Sequence, residues 1–285
     1  RALLDLQAPV AANRGHEESG EEGFQETLHF LEGSLEDIPV WADNLKQFRP
    51  EAAIHLAWEG IPDYGAEMST KNLKYGLDLF KLLYKTGCKT ILATGSVWEY
   101  GKLSGELSED LFVEPFNPFT AAKNSLNWMG REMAKEYGTN FIWTRLFYVY
   151  GPGQKSTSLI PYLINCIKEG NHPEIRNPDA KNDFIYVEDV ADAVSKLILH
   201  YSKSGIFNIG SGQLTSVKTI LNIIYNLFSK KEDYKKADQI QTDALSANYA
   251  NISKIEKEVG WKPQTNIEKG IKGIIQPLTI QDRVK

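Results

Sequence analysis

Two cysteines, Cys88 and Cys166, are all that the 285-residue chain contains. That excludes a disulfide framework, and no Cys/His cluster has metal-ligand spacing. A reducing compartment, and so a cytoplasmic location, is expected. No uninterrupted apolar run is long enough to span a bilayer. The opening Arg1-Ala2-Leu3-Leu4-Asp5-Leu6 carries an early acid and lacks the apolar core of a signal peptide. Neither sign of charge dominates: 32 basic residues face 37 acidic ones, for a net charge of -5. The signs are mixed along the chain rather than gathered into a basic stripe, which gives nucleic-acid binding no support. With 42% hydrophobic and 24% charged residues, neither disorder nor a fibrous repeat is indicated. The length suits one large unit or two closely joined ones.

What is present is an alternation of short β-rich runs with amphipathic helical ones, the pattern of a parallel sheet covered by helices. The candidate strands are Val10-Ala11-Ala12, Thr27 to Leu31, Ala53 to Ala57, Thr90 to Ala93 and Phe141 to Thr144. After Ser69-Thr70, helical spacing links Leu73, Leu77, Phe80 and Tyr84 until Gly87. A second helix from about Thr120 carries Leu126, Met129, Met133 and Tyr137 and stops at Gly138. Gly151-Pro152-Gly153 and the prolines at 161, 173 and 178 then change the texture, so a second lobe is expected from there. Phe184 to Val187, leading into a helix with Val190, Val194 and Leu197, and Ile206 to Ile209 are expected to return to the first sheet.

The fold class that follows is α/β: a Rossmann-like, doubly wound parallel sheet with a smaller α/β substrate-binding lobe. Residues 1–150 plus about 183–212 would form the dinucleotide-binding domain, and about 151–182 plus 213–285 the second lobe. Such a domain begins with a strand, a glycine-rich turn and a helix that receives the pyrophosphate. Here Arg1 to Leu6 reads as the late part of a helix, and the strand and turn are absent. A cropped or reassigned chain start is the expected reason.

The chemistry-bearing stretch is Thr94-Gly95-Ser96-Val97-Trp98-Glu99-Tyr100-Gly101, followed by Pro118-Phe119-Thr120-Ala121-Ala122-Lys123. Positions 119 and 123 are four apart, so on a helix they share a face and can serve one pocket. The pair of segments resembles the extended short-chain dehydrogenases/reductases that act on nucleotide sugars, which place a Ser or Thr four residues before Tyr-Gly and a YxxxK motif on the next helix. Ser96 and Lys123 match that pattern; Phe119 stands where the tyrosine belongs. The resemblance implies that the tyrosine exchanges a proton with the sugar oxygen, that Lys123 lowers its pKa and holds the nicotinamide ribose, and that Ser96 hydrogen-bonds the same oxygen. Phe119 keeps the shape without the acid/base, and such a loss costs roughly 10²- to 10⁴-fold in rate. A deliberate change made to trap a ligand is favoured over a naturally altered enzyme.

Further segments extend the resemblance over nearly the whole chain. Ile54-His55-Leu56-Ala57-Trp58 is similar to the strand end whose backbone lies against the cofactor, with Trp58 in place of a small residue. Asn72 matches the asparagine that opens the following helix. In Arg145-Leu146-Phe147-Tyr148-Val149-Tyr150-Gly151-Pro152, Tyr148 replaces a substrate-facing asparagine, and Phe147 is assigned to the cofactor. In Asn182 to Val190, Asn182 replaces an arginine that often meets the nucleotide phosphates. Phe207 to Gly212 and Gly260-Trp261-Lys262-Pro263 complete the order. Thr94, Ser34 and Leu35 join the cofactor set, the last two as flanks of the adenine. Taken singly, Ser96 reads as a loop hydroxyl and Lys123 as a solvated helix residue; only the ordered set outweighs this. Trp58 and Trp98 fit core aromatics as well as pocket walls. Lys155 and Arg176 read first as exposed charges, either of which could replace a phosphate partner at Asn182.

The strand Val10-Ala11-Ala12, second in such a domain, ends Ala12-Asn13-Arg14 without a carboxylate. An acid there binds ribose hydroxyls and an arginine a 2′-phosphate, so Asn13 and Arg14 point to NADP, with NAD as the alternative. The 4,6-dehydratases carry an Asp-Glu pair where this chain has Val97 and Trp98, and no Cys-Lys pair suits C3/C5 epimerisation. Reduction of an NDP-4-keto-6-deoxy sugar is the leading expectation. C4 epimerisation is the alternative, and a catalytically inactive nucleotide-binding protein is the competing class. The expected partners are a nucleotide-diphosphate sugar and a second copy of the chain in a homodimer, with no nucleic acid, membrane or metal.

Overall fold

A computed structural model describes residues 2–6, 29–236 and 247–281. In chain order, β1 (Ala2–Leu6), β2 (His29–Gly33), α1 (Ile38–Phe48), β3 (Ala52–His55), α2 (Ala66–Lys85) and β4 (Thr90–Ser96) come first. A 3-10 turn at Val97–Tyr100, β5 (Gly105–Leu107), α3 (Pro118–Tyr137), β6 (Asn140–Leu146) and β7 (Tyr148–Tyr150) follow. Then come α4 (Leu159–Lys168), β8 (Glu174–Ile175), β9 (Lys181–Asn182), β10 (Phe184–Tyr186), α5 (Val187–His200) and β11 (Gly205–Ile209). The remainder is β12 (Thr215–Ser216), α6 (Val217–Leu227), β13 (Lys235–Lys236), β14 (Asn248–Ala250), α7 (Ser253–Val259) and α8 (Ile267–Gln281). Among the described residues the central sheet has four strands in the order β11-β6-β4-β3, and β3 runs parallel to β4 with Ala52 opposite Thr90 and His55 opposite Ala93. Parallel neighbours need a crossover, which α2 supplies.

Chain contacts divide the molecule into two compact units. The first comprises the residues up to Ala93, with Asn117–Ile142 and Ser202–Gly205; the second comprises Thr94–Phe116, Trp143–Tyr201 and the chain from Ile206 onward. In the first unit, α2 and α3 form where apolar residues recur at helical spacing, but their buried faces differ from the expected ones. On α2 the buried line is Asn72, Gly76, Leu79, Phe80, Leu83 and Tyr84, whereas Leu73 and Leu77 are only half-buried. The absence of a side chain at Gly76 decides this, since a Cβ there would stand 2.8 Å from Leu126 of α3. On α3, Leu126 and Met133 are buried as expected, but Met129 is 49% exposed and Tyr137 42%. Gly130 turns inward instead, against the Phe141 ring, and its carbonyl accepts the Tyr84 hydroxyl at 3.1 Å. Helix α3 starts two residues before Thr120 because Asn117 caps it: its side chain accepts from Thr120 N at 2.8 Å while Thr120 Oγ1 accepts from Asn117 N at 3.2 Å. Pro118 fills the first turn, where its missing N–H costs nothing, and Gly138 ends the helix in the left-handed region at φ 64°.

Two other expectations are corrected. Ala2–Leu6 is a strand, not the end of a helix: it pairs antiparallel with β2, Ala2 opposite Gly33 and Leu6 opposite His29, so the ladder satisfies backbone groups that one helical turn would leave open. Val10-Ala11-Ala12, Thr27 and Leu28 lie outside the described residues. Phe184 to Tyr186 does not return to the central sheet; it pairs parallel with β7, Phe184 opposite Tyr148. The cause is Asp183, fully buried, whose carboxylate accepts from Ser211 N at 2.6 Å, Gly212 N at 2.9 Å and Ala250 N at 3.0 Å. That anchor fixes where β10 begins, and Asp183 O accepts from Tyr148 N at 3.0 Å. Ile206 to Ile209 does join the central sheet, as the edge strand β11 beside β6. The largest core of the second unit is built by α4, α6 and α8, with Ile160, Leu163, Leu221, Ile224 and Ile271 among its buried side chains.

Candidate active site

In the first unit the site grows from the end of β3. His55 closes the strand, so Leu56 and Ala57 are already loop; Leu56 is 63% exposed. The chain then presents Trp58, and its next residue is clamped by Asn72, whose side chain accepts from Glu59 N at 2.7 Å and donates to Glu59 O at 3.0 Å. Asn72, expected to open α2, thus acts by holding this loop. Phe119 and Lys123, one turn apart on α3, are both buried. The Trp58 ring meets Phe119 edge-on at 5.3 Å, and the Lys123 ammonium lies 4.0 Å from the Trp58 ring centroid and 6.0 Å from that of Phe119. A cation over an indole face is attracted by the ring quadrupole, the more so when desolvated. Trp58 is half-buried, with its ring against the Lys123 ammonium. Its Nε1–H is buried without an acceptor.

Two residues of this cluster were not picked out by the sequence. Tyr64 packs on Phe119 with ring centroids 5.3 Å apart, and nothing in its loop marked it in advance. His55 is buried edge-on against Phe80 at 5.6 Å. Burial, together with the Lys123 charge, pushes its pKa down to about 3.

In the second unit, Ser96 ends β4 and its Oγ accepts from Trp98 N at 3.2 Å, the local loop-hydroxyl bond. The stronger constraint is Glu99, fully buried. One oxygen accepts from Ser96 N at 2.8 Å, Trp143 Nε1 donates to both oxygens at 3.1 and 3.0 Å, and Arg145 Nε donates to the other at 3.2 Å. Gly95 makes the room, since a Cβ there would fall 2.0 Å from the carboxylate. Arg145 also lies over the Tyr100 ring at 4.4 Å. Burial raises the Tyr100 pKa to about 12 against the pull of Arg145, so its hydroxyl stays a donor and meets Asn208 Oδ1 at 2.7 Å. Sequence reasoning missed Glu99; the usable signal was one acid and one arginine, each embedded in an otherwise apolar strand end.

The remaining site residues are spread over several places. Trp98 and Tyr148 are brought together: both border the cluster of Val97, Tyr100, Leu107 and Phe147, and a hydrogen bond from the Trp98 indole works against the burial that raises the Tyr148 pKa. Phe147 is a core side chain of that cluster, and Thr94 is buried at the end of β4. Ser34 is a local cap, accepting from Glu36 N at 3.1 Å with Leu35 next to it. Lys155 and Arg176 are exposed, and Asn182 is half-buried in the β9–β12 ladder opposite Thr215. Asn13 and Arg14 lie outside the described residues. Among the described residues no cluster of His, Cys, Asp and Glu could hold a metal ion, and no helix is long and apolar enough to cross a membrane.

The parallel, helix-connected sheet is that of the Rossmann fold, which solved structures share. UDP-glucose 4-epimerase of Thermotoga maritima, determined with UDP-glucose, superposes with a TM-score of 0.79 at 21% identity over 90% of this chain and 85% of that one. RMD from Pseudomonas aeruginosa, complexed with NADPH, gives 0.75 at 23% identity over 84% and 86%. The profile of the NAD dependent epimerase/dehydratase family matches residues 2–210, and the chain belongs to that family. Among curated relatives, the dTDP-4-dehydro-6-deoxyglucose reductase of Escherichia coli is 29% identical over 237 residues, 80% of this chain and 75% of its own length. The GDP-6-deoxy-D-mannose reductase of Pseudomonas aeruginosa is 24% identical over 244 residues, 79% of each.

Two consequences can be measured. Glu99→Leu leaves Arg145 buried and uncompensated and should cost about 3–5 kcal/mol of stability. The double variant with Arg145→Leu should lose clearly less than the sum of the two single losses in urea unfolding, and strict additivity would contradict the pairing. His55 takes up a proton only near pH 3 in the folded chain but near 6.5 when unfolded. Between those values the unfolded state binds more protons, so stability is full above the upper value and falls with pH below it. The loss between pH 7 and 5 should be on the order of 2 kcal/mol smaller in His55→Leu than in the native chain.

Proposed function

We propose that the protein is an NADP-dependent nucleotide-sugar oxidoreductase that reduces an NDP-4-keto-6-deoxy sugar, with turnover impaired because Phe119 occupies the tyrosine position. The observation that carries this reading is the buried pair on α3, Phe119 and Lys123, facing the Trp58 wall. An aliphatic core has no use for a buried ammonium, whereas a site that handles a ribose and a developing oxyanion does. The reductases among the relatives support the reaction type, and Val97 and Trp98 in place of an Asp-Glu pair argue against dehydration.

The donor set fits a nicotinamide ribose: Lys123 and the Trp58 N–H, which is buried without an acceptor, are both hydrogen-bond donors at the end of β3. NADPH, when bound, supplies the hydride. Lys123 is read as holding the ribose hydroxyls and Ser96 as donating to the sugar oxygen, with Glu99 fixing the Ser96 backbone. Asn13 and Arg14 are read as accommodating a 2′-phosphate, and Ser34, Leu35, Leu56, Ala57, Asn72, Thr94 and Phe147 as the rest of the cofactor contour. Trp98 and Tyr148, a hydrogen-bonded pair, are read as facing the sugar, with Lys155, Arg176 and Asn182 toward the diphosphate. Residues 1–150 with about 183–212 would carry the cofactor, and about 151–182 with 213–285 the nucleotide sugar. The exposed Trp128 and Met129 on α3 support a homodimer. An inactive nucleotide-binding protein is the second reading, and Phe119 is what favours it.

With a panel of dTDP- and GDP-4-keto-6-deoxyhexoses, Phe119→Tyr should raise kcat for NADPH oxidation by roughly 10²- to 10⁴-fold with little change in KM. If this variant binds the panel and turns over none of it, the binding-protein reading takes over. Arg14→Ala should weaken NADP and leave NAD affinity unchanged in calorimetric titration; equal losses for both would refute the cofactor assignment.

A further inference from the structure

The loop that follows β3 holds two aromatic residues against Phe119, Trp58 and Tyr64, each with its ring centroid 5.3 Å from that of Phe119. This loop is fixed at several points. Asn72 binds both backbone groups of Glu59 and donates to Met68 O at 2.9 Å. Asp63 N donates to Gly60 O at 2.8 Å, closing a turn. Asp63 Oδ1 accepts from Gly65 N at 2.8 Å just before α2. Gly60 takes φ +86°, and a Cβ on it would stand 2.6 Å from the Met68 side chain, so the turn needs glycine there. Tyr64 therefore sits in a defined place, half-buried and beside the ring that lacks a hydroxyl.

We propose that Tyr64 is a catalytic residue: its phenol supplies the proton for the residual carbonyl reduction that Phe119 cannot support. This rests on the reductase reading of the same site. In the step, hydride from NADPH forms the new C4–H bond, the carbonyl π pair moves to oxygen, and the Tyr64 O–H bond breaks as its proton joins that oxygen. NADP⁺ and the alcohol result. The phenolate is reprotonated from water, which its partial exposure allows. Burial shifts the Tyr64 pKa upward, which makes the phenol a weaker acid and so fits a slow, residual step.

A merely packed Tyr64 would lose little on conversion to phenylalanine, in any background. The test is a four-member set, native, Tyr64→Phe, Phe119→Tyr and the double variant, assayed for kcat and KM with NADPH and dTDP- and GDP-4-keto-6-deoxyhexoses. Binding of both ligands is measured alongside by calorimetry. Tyr64→Phe should lower the residual kcat of the native chain by about 10²-fold or more, at unchanged KM. In the Phe119→Tyr background the same change should be nearly silent, because the restored hydroxyl takes over the proton, and groups that serve one step are non-additive. Equal effects of Tyr64→Phe in both backgrounds would reduce the residue to packing. A native chain without turnover beside an active Phe119→Tyr variant would also overturn the proposal, while leaving the reductase reading intact. Ligand binding without turnover in all four would overturn both, and no binding in any would remove the substrate class itself.

Discussion

Glu99 is a carboxyl group with no access to solvent, and the end of β4 is arranged around satisfying it. A carboxylate taken out of water is tolerated only when paired and hydrogen-bonded. Arg145 supplies the charge, Trp143 and the Ser96 amide supply the bonds, and Gly95 gives up a side chain to let them converge. Each of these residues is then committed. Ser96 cannot shift along the strand, and Arg145 must lie over Tyr100, whose hydroxyl in turn fixes Asn208 on β11. Asn208 also donates to Leu107 O and, through its backbone, to Glu109. One buried charge thus sets the positions of a strand end, a turn and an edge strand of the second unit.

The first unit solves a different problem, the placement of a cation. Lys123 is buried on a helix whose buried residues also include Thr120, Asn124 and Asn127, and indole and phenyl rings contribute to its stabilisation. The same positive charge bears on His55, which stays neutral through most of the acid range. The aromatic residues have a cost in chemistry, because Phe119 brings a ring without a proton. In a reductase the hydride and the proton are separate deliveries, so a site can keep binding and hydride geometry intact while the proton arrives slowly or from elsewhere.

Much of the architecture was legible because periodicity reports burial. Helices α2 and α3, strands β4 and β6 and the return of β11 all follow from apolar spacing and from stops at glycine. What periodicity could not show was where a glycine replaces a side chain at a contact, and so the buried faces of α2 and α3 turned away from Leu73, Leu77 and Met129 toward Gly76 and Gly130. Ala2–Leu6 was misread because a short apolar run with one acid fits either element, and only its partner at His29–Gly33 decides. Phe184 to Tyr186 was sent to the wrong sheet because the Asp183 anchor joins residues far apart in sequence. Phe119, Lys123 and Ser96 were singled out by motif spacing. Glu99, His55 and Tyr64 were not, because their roles arise from neighbours brought by other segments.

The reductase reading turns on where the hydride comes from. With NADPH carrying deuterium at the transferable C4 position of the nicotinamide and an NDP-4-keto-6-deoxyhexose as acceptor, the sugar product should carry one deuterium at its own C4, in step with NADPH consumed. A product without the label, or a sugar altered at C4 with no NADPH consumed, would contradict the reductase and leave the chain an epimerase that recycles a retained cofactor.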